Sequence, residues 1–202
     1  MAKLRLTKNE LKKQKEALKR YEQYLPTLLL KKQQLQTEIR KIHNGMEEIK
    51  KEKAFHKAVV YKWADVFAED VGLESLIGMD KIVTSTGNIA GIDIPVFEKL
   101  LYKEEKYDLT RMPLWVDYGV EAVKKALEMN ARMEILKRQD ALVREELRIT
   151  TQRVNLFEKV MIPAAQKNIK KIQICLGDMQ TAAVVTGKIA KEKILRGAGR
   201  AR

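Results

Sequence analysis

Two histidines, one cysteine and scattered carboxylates are the side chains that could do chemistry in this 202-residue chain. His43 and His56 are thirteen residues apart. On one helix at about 100° per residue they point roughly 220° apart, so they cannot share a metal ion. Cys175 is the single cysteine. That excludes an internal disulfide framework and a cysteine-rich zinc site, and it suits a reducing cytoplasm. Cys175 precedes the apolar stripe position Leu176, where an inert half-buried thiol is expected. Glu104 and Glu105 form an acidic pair with no base or nucleophile beside them in the sequence. Neither a GxxxxGK[ST] loop nor a GxGxxG turn is present, and Gly197-Ala-Gly199 follows no strand. The expectation is therefore no catalytic, cofactor-binding or metal-binding residue, and no enzyme activity residing in this chain alone.

The elements come next. Charged residues make up 33% and aromatics 6%, with 10 Gly and 4 Pro, a composition of long helices rather than of a β-sandwich. The length suits one domain or one elongated body. The longest clean apolar run is Leu28-Leu29-Leu30, far short of a membrane span, and Lys3, Arg5 and Lys8 near the start precede no apolar leader region. Direct membrane insertion is not expected.

The net charge of +13 is uneven. Residues 1–60 carry 16 basic and 7 acidic side chains, 61–113 carry 6 and 10, and 114–202 carry 18 and 10. Two basic ends flank an acidic middle. Such ends could meet nucleic acid, an anionic membrane face or an acidic protein cavity, or could be plain solvated helix surface. No aromatic residues interleave with the basic ones and no nucleic-acid-binding fold is visible, which speaks against nucleic acid.

From Leu4 to about Val71 one helical pattern runs. Leu4, Leu11, Leu18 and Leu25 are seven apart, and Tyr21, Leu28, Leu35, Ile42 and Ile49 form a second series. Of sixteen seam positions to His56, eleven are apolar, the exceptions being Thr7, Gln14, Lys32, Lys53 and His56. That heptad predicts a coiled coil. Thr7 and Glu10 have capping-box spacing. A second long helix is expected from Met112-Pro113, with the stripe Met129, Met133, Leu136, Asp140, Val143, Leu147, Thr150, Val154, Phe157, Met161. It continues less strictly through Ala165, Ile169, Ile172, Leu176, Met179 and Ala183. Gly187 and Gly197-Ala-Gly199 predict a frayed basic tail.

Between the helices, Lys81–Thr86 is rich in β-branched residues, Gly87-Asn88 is a two-residue turn signal, and Ile89–Phe97 reads as the return strand. Ile92, Ile94 and Val96 would share a face, and Pro95 requires an edge position. A lone hairpin is marginal in water, so it should lean on the helices or on a partner. It is also expected to protrude as a contact or regulatory device. Tyr61, Trp63, Phe67 and Trp115 could cluster at the turnaround. The fold class is thus all-α: a long antiparallel two-helix coiled coil around a small middle region with a β-hairpin at about 81–97. Its divisions are an N-terminal helix 1–72, a middle region 73–112, a C-terminal helix 113–190 and a basic tail 191–202. A register that sets Tyr61 opposite Leu127 would bring Pro26 level with Pro163, so that two kinks bend the pair together.

Three segments resemble a known family, the D subunit of the V-type (archaeal/bacterial A/V-type) ATP synthases. Leu29-Leu30-Lys31-Lys32-Gln33-Gln34-Leu35 is similar to its LLKxKxxxL stretch, and Asn88-Ile-Ala-Gly-Ile-Asp-Ile-Pro95 to its NxxGxxxP hairpin. Thr151-Gln-Arg-Val-Asn-Leu-Phe-Glu-Lys-Val-Met-Ile-Pro163 is similar to its RQRVNALE…IP segment. Thr151 stands where the family usually has Arg, and Leu176-Gly-Asp-Met-Gln-Thr-Ala-Ala replaces an acidic stretch.

The resemblance implies a non-catalytic central rotor shaft. Its terminal helices would insert into the cavity of a hexamer of catalytic A and B subunits. Its middle would bind the small F subunit and seat on the funnel-shaped subunit of the membrane ring, at the cytoplasmic face of the membrane. Candidate partner contacts are Asn88, Gly91 and Pro95 on the hairpin, Arg153 on the second helix, and Trp63 and Trp115 at the turnaround. A coiled-coil adaptor or export chaperone is the alternative, and a nucleic-acid-binding coil a further one. The hairpin counts against the adaptor, since a plain coil needs only a short turn, while a nucleic-acid-binding coil would show a steep salt dependence of retention on DNA or RNA.

Overall fold

The computed structural model describes residues 4–62, 76–104 and 112–200. The first helix, α1, spans Lys8–Tyr61. Thr7 caps it: the Glu10 amide donates to Thr7 Oγ1 at 3.3 Å, and the Leu11 amide to the Thr7 carbonyl at 3.0 Å. Glu10 also places a negative charge in the first turn, where the helix dipole favours it. Pro26 lies inside the helix without ending it. Leu11, Gln14, Leu18, Tyr21, Leu25, Leu28, Lys32, Leu35, Ile39, Ile42, Met46 and Ile49, expected seam positions in steps of three and four, are all covered. Lys53 departs from this seam by being exposed. The expected extension of the helix to Val71 lies outside the described residues.

Strands β1 (Ile77–Ile89) and β2 (Ile92–Glu104) pair antiparallel in a two-stranded sheet. The turn differs from the expectation. Gly87 pairs with Ile94 and Asn88 with Asp93, so both lie within the ladder, and the turn is Ala90-Gly91. Both turn residues have positive φ, 52° and 83°, as a twisted two-residue hairpin turn requires. Asp80 on β1 and Glu98 on β2 are each skipped in the register, giving one bulge per strand. Bulges bend and twist a ribbon. Pro95 meets its edge requirement, because each strand of a two-stranded sheet has a free side.

The second helical stretch comprises α2 (Val116–Leu156), a widened π turn (Phe157–Met161) and α3 (Ile162–Arg200). It begins three residues later than Pro113. Pro113 opens a preceding turn instead, its carbonyl accepting from the Val116 amide at 3.0 Å. At the other end, α3 is helical through Gly187 and on to Arg200, where a frayed tail was expected.

The chain divides into two compact units. One comprises Met1–Leu30 and Thr151–Arg202, the other Lys31–Thr150. In the second unit α1 and α2 run antiparallel, as three contacts at successive heights require. Lys31 Nζ bonds Glu146 Oε1 at 2.7 Å, His43 Nε2 lies 3.2 Å from Asp140 Oδ1, and Lys53 Nζ bonds Asn130 Oδ1 at 2.7 Å. Leu35, Ile42, Val143 and Ile94 form its buried centre. In the first unit Tyr21 meets Phe157 edge-on, with centroids 5.4 Å apart.

These contacts correct the expected register. The facing pairs have residue numbers totalling 177 to 183, not the 188 of a Tyr61–Leu127 pairing. With Tyr21 opposite Phe157, Pro26 is level with the Thr151–Arg153 stretch. It falls short of Pro163 by about ten residues, roughly 15 Å at ~1.5 Å per residue, so the two prolines do not kink at one height.

Candidate functional site

The hairpin carries three candidate residues, and each has a local task. Asn88 Oδ1 accepts the Gly91 amide at 3.0 Å, and Asn88 Nδ2 donates to Asp93 Oδ1 at 2.9 Å. Asn88 thereby ties the turn shut from its flank. Gly91 supplies a positive φ that a side chain would oppose. The Pro95 carbonyl accepts from Gln139 Nε2 at 2.5 Å. A fourth residue, Gly87, makes room: a Cβ there would lie 2.7 Å from Val96 Cγ2.

The hairpin does not protrude freely. Its tip residues Ile89, Ala90 and Ile92 pack on the Leu35–Ile42–Val143 centre, and Ile94 is buried within it. Val96, expected to share that face, is 37% exposed. Further along, the Arg132 guanidinium stacks over Phe97 at 5.6 Å and Tyr102 Oη donates to the Lys124 carbonyl at 3.2 Å. The geometry explains this match. From Pro95 to Tyr102 a strand rises about 23 Å, and from Gln139 to Lys124 a helix descends about 22 Å. The hairpin is therefore laid along α2, contact by contact.

Gln139 was not singled out by its sequence position. It stands beside the stripe residue Asp140, on a four-spaced row with Ala131 and Ile135, and all three of that row are buried. A second apolar row beside the seam is the signal that α2 packs on two neighbours.

At the hairpin base, Leu76, Ile77, Val116 and Val120 form a second buried cluster, with Trp115, Tyr102 and Met112 packed against it. Trp115 is thus half-buried. Tyr61 is 64% exposed, so it does not join this cluster. Trp63 and Phe67 lie outside the described residues. Where α1 and α2 meet near this base, a groove of about 870 Å³ is lined by Glu52, His56, Val60, Tyr102, Trp115 and Met129 among others. That volume would hold several side chains of a partner. Arg153, in the other unit, is exposed, as is Asn155, while Val154 between them is 2% exposed. This agrees with the seam spacing. The expected neighbours of Val154, Leu35 and Lys32, are displaced by the corrected register.

The sequence set His43 and His56 too far apart around one helix to share a metal ion, and gave neither a partner. His43 instead joins a cross-helix cluster: Arg144 Nη2 lies 2.7 Å from His43 Nε2, and Arg144 Nε bonds Asp140 Oδ2 at 2.6 Å. Asp140 Oδ1 is near His43 by distance but makes no hydrogen bond of good geometry, so the Arg144 contacts hold this joint. The Lys31–Glu146 pair is part-buried, whereas Glu47–Lys50 and Glu145–Arg148 lie on exposed faces. A hydrogen bond from Lys50 holds the Glu47 carboxyl below its ordinary range, and one from Arg148 does the same for Glu145. Among the described residues no three His, Cys, Asp or Glu side chains cluster to hold a metal. No described helix is long and apolar enough to cross a membrane.

The distinctive side chains of this chain thus sit where elements join: the turn, the hairpin seat on α2, the histidine cluster and the widened turn. Fold and site together define a mostly helical protein with one docked hairpin. The family model described as the ATP synthase D subunit matches residues 10–192, and the chain belongs to that family. It is 50% identical over 196 residues to the V-type ATP synthase D subunit of Borreliella burgdorferi, covering 97% of each chain. It is 34% identical to that of Chlamydia caviae and 33% to that of Chlamydia pneumoniae, over 95% of this chain and 93% of each relative.

Proposed function

We propose that this chain is the non-catalytic rotor shaft of a V-type ATP synthase, passing torque between a catalytic A/B hexamer and the ion-translocating membrane ring. The observation that carries the reading is the family match over residues 10–192, which includes both helical stretches and the hairpin. The strict seam of α1 supports pairing of residues 1–72 and 113–190 as a coiled coil, in which packed side chains resist twisting. Residues 73–112 are the middle region and 191–202 the basic end.

The terminal helices would enter the hexamer cavity. Beyond Leu176, every described residue to Ile194 is exposed, including Met179, Val184, Val185, Ile189 and Ile194. An apolar helical face left bare by its own chain calls for a surrounding partner. Its lysines would meet an acidic lining. The groove near Trp115, with Trp63, is the proposed seat of the F subunit. Asn88, Gly91 and Pro95 present the hairpin, and the membrane-side end rests on the funnel-shaped subunit. The complex would lie at the cytoplasmic face, with no nucleic acid and no cofactor on this chain.

Reconstitution tests the reading. The purified chain should hydrolyse no ATP and should form a one-to-one complex with the F subunit. Added to an A/B hexamer, a probe fixed to this chain should rotate during ATP hydrolysis. Arg153→Ala should fold normally and weaken coupling. ATP hydrolysis by the chain alone, or a probe that stays still while the hexamer turns over ATP, would overturn the rotor reading.

A further inference from the structure

We propose that His43 is a proton-operated toggle between α1 and α2, accepting a hydrogen bond from Arg144 when neutral and donating one to Asp140 when protonated. Asp140 is the one carboxylate in the apolar stripe of α2, between Leu136 and Val143. Its side chain is 18% exposed, and its Oδ1 is sealed from water with no hydrogen-bond partner. The other oxygen, Oδ2, accepts from Arg144 Nε at 2.6 Å. A buried acceptor left bare forfeits its hydration with nothing in return.

Across the helix pair, His43 Nε2 lies 3.2 Å from that bare oxygen, already within hydrogen-bond distance. What is missing is a proton. Arg144 Nη2 lies 2.7 Å from the same nitrogen, and a guanidinium can only donate. Nε2 therefore carries a lone pair, and the hydrogen of the neutral ring is on Nδ1. Two acceptors thus face each other. A proton taken from water at Nε2 reverses both contacts. The nitrogen can no longer accept from Arg144, and it becomes a charged donor beside the bare oxygen. The His43 side chain is 48% exposed and that of Arg144 52%, so the proton has access and the released guanidinium can return to water. The tie between α1 and α2 then passes from Arg144 to Asp140, four residues or about 6 Å along the helix.

The other charges nearby are engaged or turned outward. On α1, Glu47 feels the charge of His43 but is bonded to Lys50, Lys41 is bonded to Glu38, and Arg40 is exposed. On α2, Lys137 is exposed. The hairpin brings apolar Ile89, Ala90, Ile92 and Ile94 to the adjoining core, and its Asp93 is bonded to Asn88. Asp140 and Arg144 are the pair that decides what His43 does. This inference rests on side-chain geometry and stands whether or not the rotor reading does.

Nitrogen NMR of the full-length chain, labelled in its two histidines, reads the toggle directly. His43 is identified by the signals that His43→Gln removes. At about pH 8, above the ordinary histidine range, its hydrogen should be on Nδ1. In Arg144→Met, which offers no donor, the hydrogen should move to Nε2 and bond Asp140 Oδ1. At about pH 5 both ring nitrogens should carry hydrogen. The Nε2 hydrogen should then exchange with water at least about tenfold more slowly than in Asp140→Asn, because a carboxylate holds it more firmly than an amide does. The first reading needs no variant. Hydrogen on Nε2 of the unmutated protein at the higher pH, no tautomer change in Arg144→Met, or equal Nε2 exchange with and without the Asp140 carboxylate overturns the proposal.

Discussion

Replacing Ile94 with alanine isolates the hold of the hairpin on the helices. Ile94 is 4% exposed, seated among Leu35, Ile42 and Val143 at the far end of the ribbon from its base cluster. Truncating a buried isoleucine to alanine costs about 2–5 kcal/mol, from lost transfer energy and the cavity left behind. A two-stranded ribbon has little stability of its own, so this loss falls on docking rather than on strand pairing. The helices keep their own seam contacts through Leu35 and Val143. The expected result is therefore local: exchange protection of the β2 amides falls roughly 30- to 4,000-fold, at about 1.4 kcal/mol per factor of ten. Helical circular dichroism should be retained. Met79→Ala, at a strand position that is 54% exposed, is the control and should change stability by no more than about 0.5 kcal/mol. The reasoning fails if Ile94→Ala leaves β2 protection at the wild-type level, or if the α1 and α2 amides lose protection in step with it.

At the turn, Ala90 holds a left-handed φ that costs an alanine about 1–2 kcal/mol. Ala90→Gly should therefore gain up to about 1 kcal/mol after the entropy of the added glycine, while Gly91→Ala should lose about as much; denaturant titration reads both. Val154→Asp puts a carboxylate at a site 2% exposed and should unfold the surrounding helical segments, seen as a lowered melting temperature. The pH response of Glu145 follows from its hydrogen bond to Arg148, which holds the carboxyl below 4.5. The stabilising pair is present above that value and is lost as pH falls through the depressed folded-state pKa. In Arg148→Gln the Glu145 midpoint, followed by NMR titration, should rise toward 4.5.

The sequence by itself determined the local elements. The seam of α1 was legible residue by residue from Leu11 to Ile49, because burial on one face of a helix repeats with the helical period. The Thr7–Glu10 cap was legible because it needs only four neighbouring residues. The hairpin region stood out by its glycines and β-branched residues. Its turn did not. Gly87-Asn88 and Ala90-Gly91 are both plausible two-residue turns, and the choice depends on seating Ile94 among Leu35, Ile42 and Val143 while Gly87 clears Val96. The pairing of the helices was hidden for a related reason. A seven-residue repeat matches apolar to apolar again after every heptad, so the period cannot say which heptad faces which. Only groups that occur once along the seam select the match, and here they are Lys31 with Glu146, His43 with Asp140 and Arg144, and Tyr21 with Phe157. The widened turn at Phe157–Met161 was not legible in the stripe, because Val154, Ala165 and Ile172 already share one face of an ordinary helix at about 100° per residue; the backbone bond from the Ile162 amide to the Phe157 carbonyl belongs to the tertiary structure.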